Sequence, residues 1–442
     1  MHRALGSVVR EYVEQVQGAG RNARLYLAGL FLIGFGQSIF SLLFNLYLRA
    51  LGFSDAGIGQ IISKISLGAA VAAIPAAFLF RSTAARVILV AAGALCAAIS
   101  VMQATLTEPE LMLVVAFISG MALTVYRLSI APVVMSEVAE PARPFLFSAA
   151  FTVLVLAAIL GSAVGGFLPQ LFHLLTPSDR LALRYSLFIS AAATLLCVIP
   201  FNRMRGTSPN PRPVGEAHAA GLPPGVLIDR RLRGAWQQVR DLVDLDWGLN
   251  LKLVAPAMLI GLGAGLIIPF LNLYFRDRFG LSEAKIGLLF SAMQAFMVAG
   301  NLFGPAVSRR MGLVRGVVVT QLVSVPFMVA LALSSWFPIV AASFFLRSAL
   351  MNMNQPLSSH FAMEVVPKRD HAITNSLLSL SWYLAWSVSA DVGGALIERK
   401  GYTEPLLIAA ALYIAASALY WYFFKDVEEG RVPRVEVEIP SA

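Results

Sequence analysis

The chain has 442 residues, of which 58% are hydrophobic and only 13% charged, and its mean hydropathy is +0.73. An ordinary soluble domain of this size is excluded, because it would carry about 25% charged residues to face water. The formal charge of +9 needs no nucleic-acid partner, since Lys and Arg gathered on the cytoplasmic face of a membrane, near anionic lipid, account for it.

A window of about 20 apolar residues crosses the hydrocarbon core of a bilayer, and twelve such windows follow one another here. They are predicted near residues 25–48, 57–80, 87–107, 111–135, 145–172, 185–201, 251–275, 285–307, 314–336, 338–362, 376–396 and 405–424. Before the first, Val9, Val13 and Val16 recur at helical spacing among charged residues, as a membrane-surface helix or a solvated one would. The first apolar run, Leu25 to Leu48, exceeds a signal-peptide core and lacks a small-residue cleavage site, so it is expected to remain as a helix. Residues 206–224, rich in Pro, Gly and Ala, read as a flexible linker. After it, Ile228, Leu232, Trp236, Val239 and Val243 form a second amphipathic pattern among arginines. Cys96 and Cys197 both fall inside spans, which gives neither disulfide nor metal-site spacing.

An even number of spans puts both termini on one side, and about 23 of the Lys and Arg residues fall on the side of Met1, against about 8 on the other. The expected topology is therefore N-in and C-in, in a plasma membrane of bacterial inner-membrane type. The chain divides into a cytoplasmic segment (1–24), a six-helix bundle (25–202), a cytoplasmic central loop (203–250), a second six-helix bundle (251–425) and a cytoplasmic tail (426–442).

Those two bundles read as copies. Asn45-Leu46-Tyr47-Leu48-Arg49, Gly52-Phe53-Ser54 and Ile58-Gly59 return as Asn272-Leu273-Tyr274-Phe275-Arg276, Gly280-Leu281-Ser282 and Ile286-Gly287, an offset of about 227 positions. At that offset Gly34 and Gly36 meet Gly261 and Gly263, Glu137-Val138 meets Glu364-Val365, and Gly165-Gly166 meets Gly393-Gly394. Because each copy holds six spans, the two enter the membrane in the same sense, as a parallel repeat about an axis along the membrane normal.

This arrangement resembles the major facilitator superfamily over about residues 25 to 425. The family's loop signature between its second and third helices is matched in degenerate form by Gly304, Arg309, Arg310 and Gly312 in the second copy, with Arg315 following, and by Arg81 and Arg86 in the first. The family's aspartate is missing from both. Glu137 with Arg143, and Glu364 with Arg369, complete the expected gating group at the cytoplasmic ends of helices 4 and 10. Gly161-Ser162-Ala163-Val164-Gly165-Gly166 is similar to the fifth-helix signature of the antiporter branch, with Ser162 where that branch has proline. The resemblance implies an all-helical fold of two six-helix bundles, with helices 1, 4, 7 and 10 around a central cavity.

A polar residue inside a span is a functional-site candidate, because it must face protein or a water-filled cavity. Helices 2, 4, 10 and 11 carry Lys64, Arg127, Arg347 and Asp391. Helix 1 adds Gln37 and Asn45, helix 7 adds Asn272, and helix 10 presents Asn352, Asn354 and Gln355 beside its arginine. Gln37, Asn45, Arg127, Asn272, Arg347, Asn352, Asn354 and Gln355 are the expected substrate-binding residues. Asp391, the lone acidic residue inside a span, is the expected coupling group, assisted by Arg127 and His360; the alternative is a static salt bridge to Lys64, Arg127 or Arg347. The resemblance also implies that an arginine in helix 4 assists proton transfer.

Together these features predict a secondary active transporter of a small organic solute, working by alternating access with the proton as coupling ion, monomeric and without cofactor. A polyspecific drug/proton antiporter and a non-transporting receptor or scaffold are the other readings. No metal-binding His cluster, phosphate-binding Gly-rich loop or Ser-His-Asp spacing points to an enzyme.

Overall fold

The computed structural model describes residues 20–137, 143–205 and 245–428. The amphipathic patterns at 9–16 and 228–243, the linker and the tail from 429 lie outside these residues, as do the side chains of Arg81 and Glu137. Among the described residues there is no strand, as expected of a chain in lipid, where a helix satisfies its own backbone groups.

Among the described residues, twelve long helical stretches follow one another. They are α1 (Arg21–Ala50), α2 (Asp55–Ser82), α3 (Ala85–Thr105), α4 (Pro109–Leu128, resuming as Ile130–Glu137), α5 (Arg143–His173) and α6 (Asp179–Leu196, resuming as Val198–Asn202). After residue 245 come α7 (Trp247–Ile267, resuming past a 3-10 turn as Leu271–Phe279), α8 (Glu283–Met311), α9 (Leu313–Leu333), α10 (Phe337–Val365), α11 (His371–Lys400) and α12 (Thr403–Glu428). Ten are apolar enough to count as membrane spans on composition. The other two, α10 and α11, are 29 and 30 residues long, ample for a bilayer, but their polar residues hold them below that criterion.

Proline explains the interruptions of α4 and α7. Pro132 has no N–H and crowds the carbonyl of Leu128, so α4 breaks at Ser129, whose N–H turns back to the Tyr126 carbonyl at 3.1 Å. Pro269 does the same to α7 at the 3-10 turn Ile268–Phe270. The repeated glycines of the loops are explained by backbone angle: Gly52 and Gly280 take φ of +93° and +60°, a region that side chains disfavour.

Two compact units form, and each repeats the other's internal packing. The first comprises residues 1–51, 71–218 and 283–291; the second comprises 52–70, 219–282 and 292–442. They depart from the halves of the sequence in one respect, because the first part of α2 belongs with the second unit and the first part of α8 with the first. In the first unit α1 packs on α5 and α6, and α3 packs on α4 and α6. In the second, α7 packs on α11 and α12, and α9 on α10 and α12.

The repeated tyrosine has the same task in both units. Tyr47 of α1 donates its hydroxyl to the Ala104 carbonyl at the end of α3, and Tyr274 of α7 donates to the Leu331 carbonyl of α9 at 2.7 Å. Each therefore ties an aromatic anchor to a carbonyl that the helix end leaves without an internal donor. Arg184 donates to the Tyr47 hydroxyl at 3.1 Å, while Arg278 caps the end of α9 by donating to the carbonyls of Ala332 and Ser334.

The double glycines serve two neighbours at once. A methyl group on Gly165 would meet the Ile39 backbone of α1 at 3.2 Å, and one on Gly166 would lie 2.9 Å from the Cα of Gly287 in α8. In the second unit Gly393 abuts Leu266 of α7, and a methyl on Gly394 would lie 3.0 Å from the Cα of Gly59 in α2. The α2–α11 seam is extended by a hydrogen bond between Ser63 and Ser387 hydroxyls at 3.0 Å and by Glu398 accepting from the Ala56 N–H at 2.9 Å.

Gly394→Val and Gly166→Val should each lower the thermal midpoint of the purified protein by the equivalent of about 1–3 kcal/mol of overpacking or more. Tyr274→Phe, which removes one hydrogen bond and keeps the ring, should cost about 1 kcal/mol in the same measurement. Equal midpoints for wild type and the glycine variants would contradict the close seam.

Candidate functional site in the second unit

The polar face of α10 splits in two. Arg347, Ser348 and Asn354 are buried, whereas Gln355, Ser359 and His360 are exposed and Asn352 is half-buried. Residues 347 and 354 are seven apart and share a face, while 355 and 359 lie about 100° around the axis from that row; Ser348 lies on their side of the helix but is buried near Arg347's level. Asn352 turns its amide back to the Ser348 carbonyl at 2.9 Å. The broad polar wall expected from sequence is therefore a buried row and an exposed row.

Arg347 is the centre of the buried row. It is 3% exposed and hydrogen-bonded to the hydroxyl of Tyr413 in α12, itself 1% exposed. Its Nε and Nη1 are buried without an acceptor, and Asn354 Oδ1, two turns along the same face, is buried without a donor. Beside them Ser417 of α12 donates to Gln321 Oε1 of α9 at 2.9 Å, and Ser324 donates to the Gln321 carbonyl at 2.6 Å. At the repeat offset the first unit has Gly120 for Arg347, Ser186 for Tyr413 and Ala94 for Gln321, so this polar core belongs to the second unit alone.

A guanidinium buried with open donors is costly, and the cost falls when an acceptor of matching geometry reaches it. Its planar fork suits carboxylate or phosphate oxygens. Sequence reasoning found Arg347 but not Tyr413, Gln321 or Ser417; extending the repeat offset to uncharged residues would have marked Tyr413 and Gln321, which face Ser186 and Ala94, but not Ser417, which faces Ser190.

Arg127 is exposed in the last turn of the first segment of α4, where a cation opposes the negative end of the helix dipole. The break after it is fixed to α1 by Tyr26, whose hydroxyl lies 3.1 Å from the Ser129 hydroxyl. Gln37 is half-buried, Asn45 and Asn272 are buried, and Asn272 Oδ1 accepts the Leu273 N–H at 2.9 Å.

Asp391 is exposed on α11, flanked by the exposed Val388 and Val392, and Lys64 is exposed on α2. Ser387 and Ser63, the residues that join the seam, are their near neighbours in sequence. Neither charge has an ion-pair partner within 4.0 Å among the described residues, so the static bridges to Lys64 or Arg347 are not formed in this structure.

The expected gating residues occupy helix ends. His360 lies 3.5 Å from Glu364, one turn on. Arg86 donates to Asn202 Oδ1 at 2.7 Å, Arg143 donates to the Met135 carbonyl at 3.4 Å, and Arg369 lies 3.4 Å from Asp370. Arg309 and Arg310 are exposed in the last turn of α8 before Gly312, and Gly304 rests near Met353 of α10.

Replacing Arg347 by Met should leave the thermal midpoint unchanged or raise it, because an apolar side chain of similar length removes a buried charge. Tyr413→Phe should lower it by about 1–3 kcal/mol, since the guanidinium then loses its one acceptor. The opposite ranking in a thermal-shift measurement would mean that the pair acts chiefly as a structural bond.

The family model described as Major Facilitator Superfamily matches residues 26–259 and again 253–441. No curated protein matches the chain. Among solved structures, a variant of the nucleoside transporter NupG aligns with a TM-score of 0.74 at 15% identity, over 92% of this chain and 100% of that one. A bacterial homolog of the human lysosomal transporter Spinster, inward-facing and unoccupied, aligns at 0.70 and 13% identity, over 91% and 98%. A POT family transporter in complex with a thioalcohol-conjugated peptide aligns at 0.66 and 17%, over 93% and 99%. At these identities the likeness is one of fold.

Proposed function

Because the chain belongs to the Major Facilitator Superfamily and is a multi-pass membrane protein of transporter fold, we propose that it moves a small organic solute by alternating access, coupled to protons. The observation that carries the solute class is Arg347, buried with two N–H groups lacking an acceptor. A solute bearing a carboxylate, phosphate or comparable acceptor would supply what the fold leaves out. Both termini are assigned to the cytoplasm of a bacterial-type plasma membrane by the Lys and Arg bias, and the protein acts as a monomer.

Asp391 is assigned the coupling role. It is a carboxylate inside a helix with exposed apolar neighbours and no ion pair among the described residues. A proton can therefore reach it without first breaking a bridge. Arg127, at a helix end that positions it without a carboxylate, is the second member of the relay. The drug/proton antiport reading rests on Arg127 and on Gly161, Gly165 and Gly166, and these glycines also pack against Phe35, Ser38, Ile39 and Gly287.

Uptake of a candidate acid into proteoliposomes under an imposed pH gradient tests both assignments. Asp391→Asn should abolish accumulation against a gradient, a loss of tenfold or more, while counterflow exchange of the solute persists. Unchanged gradient-driven uptake in that variant would remove Asp391 from the coupling path. Arg347→Met should weaken solute affinity by at least about tenfold, the worth of a charged hydrogen bond.

A further inference from the structure

The first unit carries a groove that no transport step uses. It has a volume of about 490 Å³ and runs along α3, lined by Ala84, Val87, Val90, Ala91 and Ala94 with Arg86 and Asn202 at its mouth. From Ala84 to Ala94 the groove follows about 15 Å of helix axis, which is the depth of one leaflet of a bilayer with a core of about 30 Å. Its chemistry is graded in the same direction: cationic at the end where α3 begins and α6 finishes, then purely apolar.

The mouth is built rather than incidental. Arg86 is half-buried and its Nη2 is aimed by a 2.7 Å hydrogen bond to Asn202 Oδ1. Among the described residues it has no carboxylate partner. Arg203 and Arg205, both exposed, follow Asn202 directly. Their backbone is tied to the start of α1, since Arg205 N–H donates to Asn22 Oδ1 at 3.0 Å and Asn22 Nδ2 donates to the Arg205 carbonyl at 2.7 Å. Arg86 thus stands at one end of the groove, with Arg203 and Arg205 close to Asn202 in the chain, on the side that the charge bias assigns to the cytoplasm.

The repeat supplies an internal control. In the second unit the matching positions on α9 are Val314, Val317, Val318 and Gln321. The first three are buried in a core cluster closed by Tyr420 and Phe424 of α12. At the same offset α6 offers only Ala193 and Cys197, and Val87 is left 57% exposed. What the second unit covers with its own aromatic rings, the first leaves for an apolar ligand from outside.

We propose that this groove binds one anionic phospholipid of the cytoplasmic leaflet, with its phosphate on Arg86 and an acyl chain laid along Val87, Val90, Ala91 and Ala94. Opposite charge at the mouth, one leaflet of apolar length behind it and the absence of a cover among the described residues are what select this occupant over a soluble anion or a partner helix.

The test uses the purified full-length protein in detergent, titrated with phosphatidylglycerol, phosphatidylcholine or inorganic phosphate and followed by thermal shift. Phosphatidylglycerol should stabilise with a half-saturating concentration about fivefold below that of phosphatidylcholine, the advantage of one basic residue at a lipid surface. Phosphate alone should do nothing at equal concentration. Arg86→Gln should bring the two lipids level, and Ala91→Leu, which fills the groove, should weaken both. Equal response to the two lipids in wild type, or a shift with phosphate alone, overturns the proposal, the latter in favour of a free-anion site. Should a variant fail to fold, the wild type decides: phosphatidylglycerol with a photoreactive acyl chain should label peptides containing residues 84–94, and labelling confined to other helices refutes the site.

Discussion

Close approach of backbones at glycine is the contact on which the architecture turns. Two apolar helix faces gain little by meeting in lipid, because the tails they leave are as apolar as themselves, so association depends on how near the helices come. Gly165 and Gly166, and their counterparts Gly393 and Gly394, let α5 and α11 each touch two neighbours through main-chain atoms. One glycine of each pair holds its helix to α1 or α7, the helix that begins its half of the chain. The other meets Gly287 or Gly59, on the parts of α8 and α2 that join the same compact unit. With so little side-chain volume between them, these seams hold by fit and by a few hydrogen bonds such as Ser63 to Ser387.

The duplication governs the frame and releases the interior. Loop glycines, the tyrosine that ties one helix to the end of another, and the glycine seams recur in both units with matching geometry. Polar interiors do not. The second unit buries Arg347, Tyr413, Gln321 and Ser417 together where the first has Gly120, Ser186, Ala94 and Ser190. Ser190 there turns to the Gly36 carbonyl at 2.8 Å instead of to a glutamine. The duplicated scaffold thus carries this polar core in the second unit alone.

Much of the frame was legible in the sequence, because apolar length and glycine spacing respond to lipid directly. Even α10 and α11, which fall short of the stricter composition criterion, stood out as windows of about 20 largely apolar residues. The dual role of each glycine pair was not legible, since neither spacing nor composition says which neighbour each glycine faces. Pro132 and Ser129 stood in plain view, yet the fourth span was read as continuous through them. At the site, Arg347 declared itself by the cost of its charge. Tyr413 did not, because a tyrosine in an apolar span reads as one more membrane aromatic until its hydroxyl is seen to face a guanidinium. Asp391 and Lys64 were identified, but whether they paired was a matter of side-chain geometry at a helix seam.

The two proline breaks leave backbone acceptors inside the membrane. Pro132 and Pro269 deprive the carbonyls of Leu128 and Gly265 of the N–H that a continuous helix would offer. In hydrocarbon such an oxygen needs a donor from elsewhere, and water is the most abundant one. Each break therefore leaves an acceptor within the bilayer that a side chain, a local 3-10 turn or water has to satisfy, one next to Arg127 on α4 and one next to Asn272 on α7.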